Sequence, residues 1–247
     1  ANDLLKGNFT IETEDLSADF TYKDLKAMMP TFVSSKMKNF ADDFGKLKYN
    51  GTAKVTPKQV YVSSGNLMTG IGQAKISNFS LTDYSSTLPK YKGYAEVNDL
   101  NTSVITKSKA VGLISGKFNL DGQSFDVNTM RLSTKSQISS IEIMNKEINN
   151  VVLDGLLDHK KYNGLITIND EQAKATVKGL IDFSTSRISA NVDADVSYLN
   201  MNYFTDKAGS QIVSGRVNGK MAMSNINDLN LDVEAFNVNF ATADQKY

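Results

Sequence analysis

The sequence predicts a mainly β protein, an antiparallel sheet interrupted once by helix, and three observations carry that prediction. From Gly45 onward apolar and polar residues alternate, which is the period-two signature of half-buried strands. A glycine followed by the same alternation recurs six times, in YNGTAKV (49–55), YKGYAEV (91–97), ISGKFNL (114–120), YNGLITI (162–168), VKGLIDF (177–183) and VSGRVNG (213–219). Only one long stretch, 22–46, follows a helical period instead.

That stretch comes first in the chain. In YKDLKAMMPTFVSSKMKNFADDFGK, Leu25, Met28, Met29 and Phe32, then Met37, Phe40 and Phe44, stand three and four residues apart. Pro30 should end a first helix near Met29, Ser34 or Ser35 can cap a second, and Gly45 can stop it. The segments SSIEIM (139–144), QAKATVKGLIDF (172–183) and ISANVDADVSYL (188–199) alternate as strands. In LNLDVEAFNVNF (229–240) the apolar parity runs Leu229, Leu231, Val233 and then Phe236, Val238, Phe240. A β-bulge at Ala235 accounts for the flip, with a turn at Glu234–Ala235 as the alternative. YLNMNYFTDKAG (198–209) is read as holding a short helical turn. The expected total is about 14–17 strands, which at about 4.8 Å each gives a sheet about 60–80 Å long.

The repeated glycines admit two readings. Asn50-Gly51 and Asn163-Gly164 suit hairpin turns. Lys92-Gly93, Ser115-Gly116, Lys178-Gly179 and Ser214-Gly215 do not, so glycine within or at the start of a strand, where the sheet bends, is favoured. Turns are expected instead at Asp121-Gly122 and Asn169-Asp170. After each glycine the alternation aligns an apolar set, Ala53, Val55, Ala95, Val97, Phe118, Leu120, Ile166, Ile168, Ile181, Phe183 and Val217, which Phe236, Val238 and Phe240 extend. Lys54, Glu96, Asn119, Asp182 and Asn218 are expected to face water.

Composition narrows the function. Lys and Arg (27) balance Asp and Glu (27), and no basic stripe exists to neutralise phosphates, which argues against nucleic acid. With no cysteine, there is no disulfide, zinc-thiolate site or thiol nucleophile. The single histidine, His159, sits in the polar run LDHKKYNG and reads as part of an exposed hairpin rather than a triad or metal site. Asp193 and Asp195 share a strand face but lack the glycine and bidentate Glu of a calcium loop, and Asp42-Asp43 read as solvated. GNLMTGIG (65–72) has neither dinucleotide nor phosphate-loop spacing. No cofactor, metal or catalytic group is expected. No apolar run reaches the length of a membrane span, and ANDLLKGNFT lacks a signal peptide's apolar centre, so any anchor or export segment would lie elsewhere.

The order of segments resembles the periplasmic repeat region of TamB-type proteins, which belong with the AsmA-like, bridge-like proteins of the bacterial envelope, in their Bacteroidetes-like form. The residues carrying it are GNFTIETEDLSADFTYKDLKAMMPTF (7–32), FGKLKYNGTAKVTPKQVYV (44–62), VGLISGKFNLDGQSFDVNTM (111–130), YNGLITINDEQAKATVKGLIDF (162–183) and INDLNLDVEAFNVNF (226–240). They are soft strand patterns spread over nearly the whole chain, and the family's N-terminal anchor is not among them. The resemblance implies one elongated β-repeat domain over 1–247, an internal piece of a longer protein, with a helical insertion within 22–44. It implies a β-taco: a curved antiparallel sheet folded into an open groove, apolar inside. It also implies a periplasmic setting in a Gram-negative bacterium, phospholipid acyl chains as partners, and an outer-membrane β-barrel assembly protein met through other regions of the full-length chain. Two other classes remain: a closed β-sandwich or barrel binding glycan or protein, and a scaffold adding a strand to an outer-membrane barrel.

Overall fold

The computed structural model describes residues 9–28, 42–106, 109–205, 211–224 and 228–242. Thirteen strands follow one another: β1 Ile11–Thr21, β2 Lys46–Val55, β3 Gln59–Thr69, β4 Gly72–Thr82, β5 Lys90–Asn101, β6 Val111–Gln123, β7 Arg131–Ile143, β8 Lys146–Asp158, β9 Lys161–Asn169, β10 Ala173–Asp182, β11 Ile188–Asn200, β12 Gln211–Met223 and β13 Leu229–Thr242. They form a single sheet in sequence order, each strand antiparallel to the next. Among the described residues the sheet does not close: β1 and β13 each have one neighbour. Mainly β, antiparallel and open is therefore the fold class, as the sequence predicts.

Among the described residues the strands number thirteen, one below the expected range. Gly122, expected in a turn, lies inside β6, whereas Asp170 does lie in the β9–β10 connection. Twelve spacings of about 4.8 Å give a contour of about 58 Å across the strands.

Helix is confined to excursions. The first, α1, spans Tyr22–Met28, with Thr21 and Asp24 bonded reciprocally as a capping pair: the Thr21 amide and hydroxyl both donate to the Asp24 carboxylate at 2.7 Å. Those bonds hold the Asp24 carboxyl below its ordinary pKa. Of the second predicted helix, only a 3-10 turn at Asp42–Phe44 is described, and 29–41 lie outside the described residues. Gly45, with φ of 62°, ends it. A further helix, α2, spans Thr102–Thr106, and α3, Met201–Phe204, is the short turn expected within 198–209. Two hairpins turn on residue pairs with positive φ at both positions, Met144-Asn145 and His159-Lys160, as a two-residue primed turn requires.

Register shows that the sheet coils with its apolar face inward near the N-terminus. Leu81 pairs with Val60, Val60 with Val55, and Val55 with Ile11, so Leu81 belongs at the Ile11 end of β1. Yet Tyr22, just past the opposite end where Thr21 meets Lys46, packs against the buried cluster of Leu81, Tyr84 and Tyr91. Both contacts hold only if β1 and α1 swing over the apolar face of β4 and β5. That coil is what the accumulated right-handed twist of four or five strands produces. A second cluster, Ile138, Ile148 and Val151, lies on the same face toward the other end and is covered by Tyr203 and Phe204 of α3.

Tyr91 is 5% exposed and stacks on Phe125 at 4.8 Å between ring centroids, and burial pushes its hydroxyl up to about 12. A folded pKa above the unfolded value of about 10 means that the contribution is complete below pH 10 and lost as pH climbs toward 12. We expect an absorbance titration at 295 nm to show buried tyrosines, Tyr91 among them, ionising late, together with unfolding. Full ionisation of every tyrosine by about pH 11 in folded protein would refute this.

Candidate functional site: an apolar face crossed by glycines

Because paired residues of antiparallel strands share a face, the ladder traces rows across the sheet. One row runs Ile76, Ala95, Phe118, Ser136, Leu153, Ile166, Val177, Ala194, Val217, Ala235. A second runs Val55, Val60, Leu81, Tyr91, Gly122, Leu132, Leu157, Tyr162, Ile181, Ala190, Met221, Leu231. A third joins Ala74, Val97, Gly116, Ile138, Val151, Ile168, Ala175 and Val196. Local register shifts, several at positive-φ residues such as Asn78 and Asp99, let strands change parity and still keep their apolar residues on this face. Ser136 and Thr134 are polar residues on this face, and they bond to each other through their hydroxyls.

Twelve of the fourteen sequence-selected apolar residues fall on this face within strands. Ala53, Val55, Ala95, Phe118, Leu120, Ile166, Ile168, Ile181 and Val217 are half-buried there, Val97 is buried, and Val238 and Phe240 are exposed on the last strand. Phe183 lies one residue past the end of β10, and its amide donates to the Lys160 carbonyl. Phe236 is a correction. It pairs with Arg216 on the polar face, because the register shift sits at Asn237 (φ of 51°) opposite Gly215, not at Ala235, which pairs with Val217. Backbone conformation placed the extra residue two positions later than side-chain alternation implied.

The glycines that opened the sequence argument all lie within strands, Gly51 and Gly164 included. Three of them fall into one transverse row, Gly93, Leu120, Thr134, Gly155, Gly164, Gly179, Val192, Gly219, between two of the apolar rows. Tyrosine rings lie over several glycines. An added Cβ would come within 2.9 Å of the Tyr162 ring at Gly155, 2.7 Å of its hydroxyl at Gly164, and 2.5 Å of the Tyr49 hydroxyl at Gly65. Tyr162 and Tyr49 each fold over the backbone and donate to the carbonyl three residues on, to Leu165 at 3.0 Å and to Thr52 at 2.6 Å. Sequence reasoning missed this aromatic cover, although Tyr stands two residues before three of the six repeated glycines.

The opposite face is polar and ion-paired between neighbouring strands. Lys54 meets Glu12 at 3.1 Å, Lys92 meets Asp121 at 2.8 Å, Lys135 meets Asp154 at 3.5 Å and Lys161 meets Asp182 at 3.2 Å. Arg216 grips Asp193 with two hydrogen bonds, which lower the Asp193 carboxyl below its ordinary value. Glu96, Asn119 and Asn218 are exposed there too. Exposed pairs contribute little stability each, but opposite charges across a ladder favour one register over its neighbours.

Clefts open mainly among polar-face residues. One of about 990 Å³ is lined by Asn149, Asn169, Asp170, Gln172, Tyr198 and Tyr203 among others, and further clefts of about 490–610 Å³ border Lys92, Asp121, Lys117 and Gln137. Asp170 is committed structurally, accepting from the amides of Asn149 and Gln172. His159 is exposed on its hairpin against the Asp158 carboxylate. Among the described residues no group of three His, Cys, Asp or Glu side chains is placed to hold a metal ion, and no helix is long and apolar enough to cross a membrane. Set against known proteins, the chain matches no family model, no curated protein and no solved structure.

Proposed function

We propose that this chain is a non-enzymatic lipid-transfer segment whose apolar face gives phospholipid acyl chains a path across the strands, in the periplasm of a Gram-negative envelope. One observation carries the reading. The apolar rows run perpendicular to the strands without a charged residue, while their alternates carry the ion pairs. Each acyl methylene in water costs about 0.8 kcal/mol, so a sixteen-carbon chain faces on the order of 12 kcal/mol that such a strip would largely remove. Aliphatic contacts have no preferred direction, so a chain can slide over them without a deep trap. Supporting outer-membrane assembly, and contacting a barrel assembly protein through other regions of a longer chain, belong to the same proposal.

Photo-crosslinking side chains at Ile166 and Ile168 should capture phospholipid in cells, and the same probes at Glu96 and Asn119 should not. Ile181→Glu should reduce capture at Ile168 at least several-fold in protein that still unfolds cooperatively. Equal capture on both faces, or none in folded protein, would remove the acyl path. The polar cleft beside Tyr198 favours a second reading, a module that binds a polyhydroxylated ligand such as a glycan. Native mass spectrometry of purified protein separates the two, by phospholipid retained in one case and oligosaccharide in the other.

A further inference from the structure

The apolar face is covered at one place by a segment from several strands away. In its third row Ile138 and Val151 are 2% and 5% exposed, and Ile148 beside them 4%, with Tyr203 and Phe204 of α3 packed on them. α3 follows β11, which stands three strands from β8, about 14 Å across the sheet. It reaches the cluster only by crossing the ends of β9 and β10. Its far end is tied by the Tyr203 hydroxyl, which donates to the Glu147 carbonyl at 2.8 Å, and by Lys146, whose ammonium stands 5.2 Å from the Tyr203 ring centroid. Its near end is rooted on the β9–β10 connection. There the Asn200 amide donates to the Gln172 carbonyl at 2.9 Å, and the Asn200 side chain donates to that of Gln172 at 2.7 Å.

We propose that α3 is a displaceable strap over the acyl path: Tyr203 and Phe204 hold the place of an acyl chain on the Ile138, Ile148 and Val151 cluster and yield it when a chain enters. The inference rests on the lipid-transfer reading and adds its gate. The two ties differ in kind. The root continues the ladder in which Leu199 pairs with Ala173, whereas the far tie is one neutral hydrogen bond from an exposed tyrosine and one cation–π contact. None of the four residues of α3 is buried, and no side chain caps its start. A segment with few buried contacts and exposed hydrogen bonds opens locally while the rest stays folded. The cover it gives the cluster is apolar and non-directional, so an acyl chain can substitute for it. Pivoting at Asn200 uncovers Ile138 and Val151 and makes them continuous with Val97 and Ile168 in the same row.

The absence of native cysteine makes the test direct. In lipid-free protein, Val151→Cys should react slowly with a maleimide. Adding Tyr203→Phe, which keeps the ring and loses the Glu147 bond, should speed the reaction about fivefold, and Tyr203→Ala more, with unchanged far-ultraviolet circular dichroism. The second measurement uses vesicles of phosphatidylethanolamine and phosphatidylglycerol. Photo-probes stand at Ile168, which packs against the covered cluster, and at Ile181, which does not. Joining Lys146→Cys to Tyr203→Cys through a reducible bismaleimide should lower capture at Ile168 several-fold, reduction should restore it, and capture at Ile181 should persist throughout. Capture at Ile181 with an Ile168 signal indifferent to the tether would overturn the strap and leave the acyl path standing, and so would a Val151→Cys rate indifferent to Tyr203. No capture at either residue in folded protein would remove the acyl path and the strap with it.

Discussion

Gly179→Val should destabilise the protein by about 3–5 kcal/mol, from backbone strain and overpacking together. Gly179 has φ of +150°, a conformation that L residues rarely adopt. A Cβ there would sit 2.2 Å from the Asn191 carbonyl oxygen and 2.8 Å from the Val192 Cα. Both obstacles are backbone atoms of β11, which is paired to β10 on that side while β9 holds the other. Neither strand can retreat without breaking a ladder. Gly45→Ala is the control. It has φ of 62° but nothing within 4 Å of an added Cβ, so it should cost only about 1 kcal/mol. Denaturant unfolding of the two variants measures the contrast. A Gly179→Val protein within about 0.5 kcal/mol of wild type would mean that the transverse glycine row is dispensable.

Much of this fold is legible in the sequence because one physical pattern dominates it. With each strand antiparallel to the next and one face apolar, period-two alternation reports both strand and face, and it placed Ile166, Ile168, Ile181 and Val217 correctly. Lys and Ser before a glycine are poor turn formers, which located Gly93, Gly116, Gly179 and Gly215 inside strands. Alternation fails where backbone shifts the parity. In β13 the extra residue could sit anywhere between Val233 and Val238 without disturbing the apolar count, and only Asn237, which tolerates positive φ, decides it. The turn at Met144-Asn145 lacks glycine and leaves no strong local signal, whereas the polar run around His159 marks its hairpin. Cross-strand partners are also silent in one sequence. That the glycines of β5, β8, β9, β10 and β12 fall into one row depends on loop lengths and bulges summed over eight strands.

The tyrosine over that row, Tyr162, carries the second large effect. Tyr162 is 7% exposed, and its ring occupies the space that side chains at Gly155 and Gly164 would otherwise fill. Glycine in a strand leaves its backbone open to water and contributes no cross-strand contact, so an aromatic ring laid over it supplies both cover and packing. Burial accordingly raises the hydroxyl's pKa, while the hydrogen bond to Leu165 keeps the buried group satisfied. Tyr162→Ala would uncover two glycines on adjacent strands and leave a cavity between Leu157 and Ile181, the residues paired with it on either side. We expect a loss of about 3–5 kcal/mol, the cost of truncating a buried aromatic. Tyr162→Phe keeps the ring and removes one neutral hydrogen bond, so it should cost about 1 kcal/mol. Hydrogen exchange should then place the damage locally, with amides of β8 and β9 losing protection before those of β2 and β3. If Phe and Ala at 162 destabilise equally, the hydroxyl and not the ring is what the glycine row requires, and the cover argument fails.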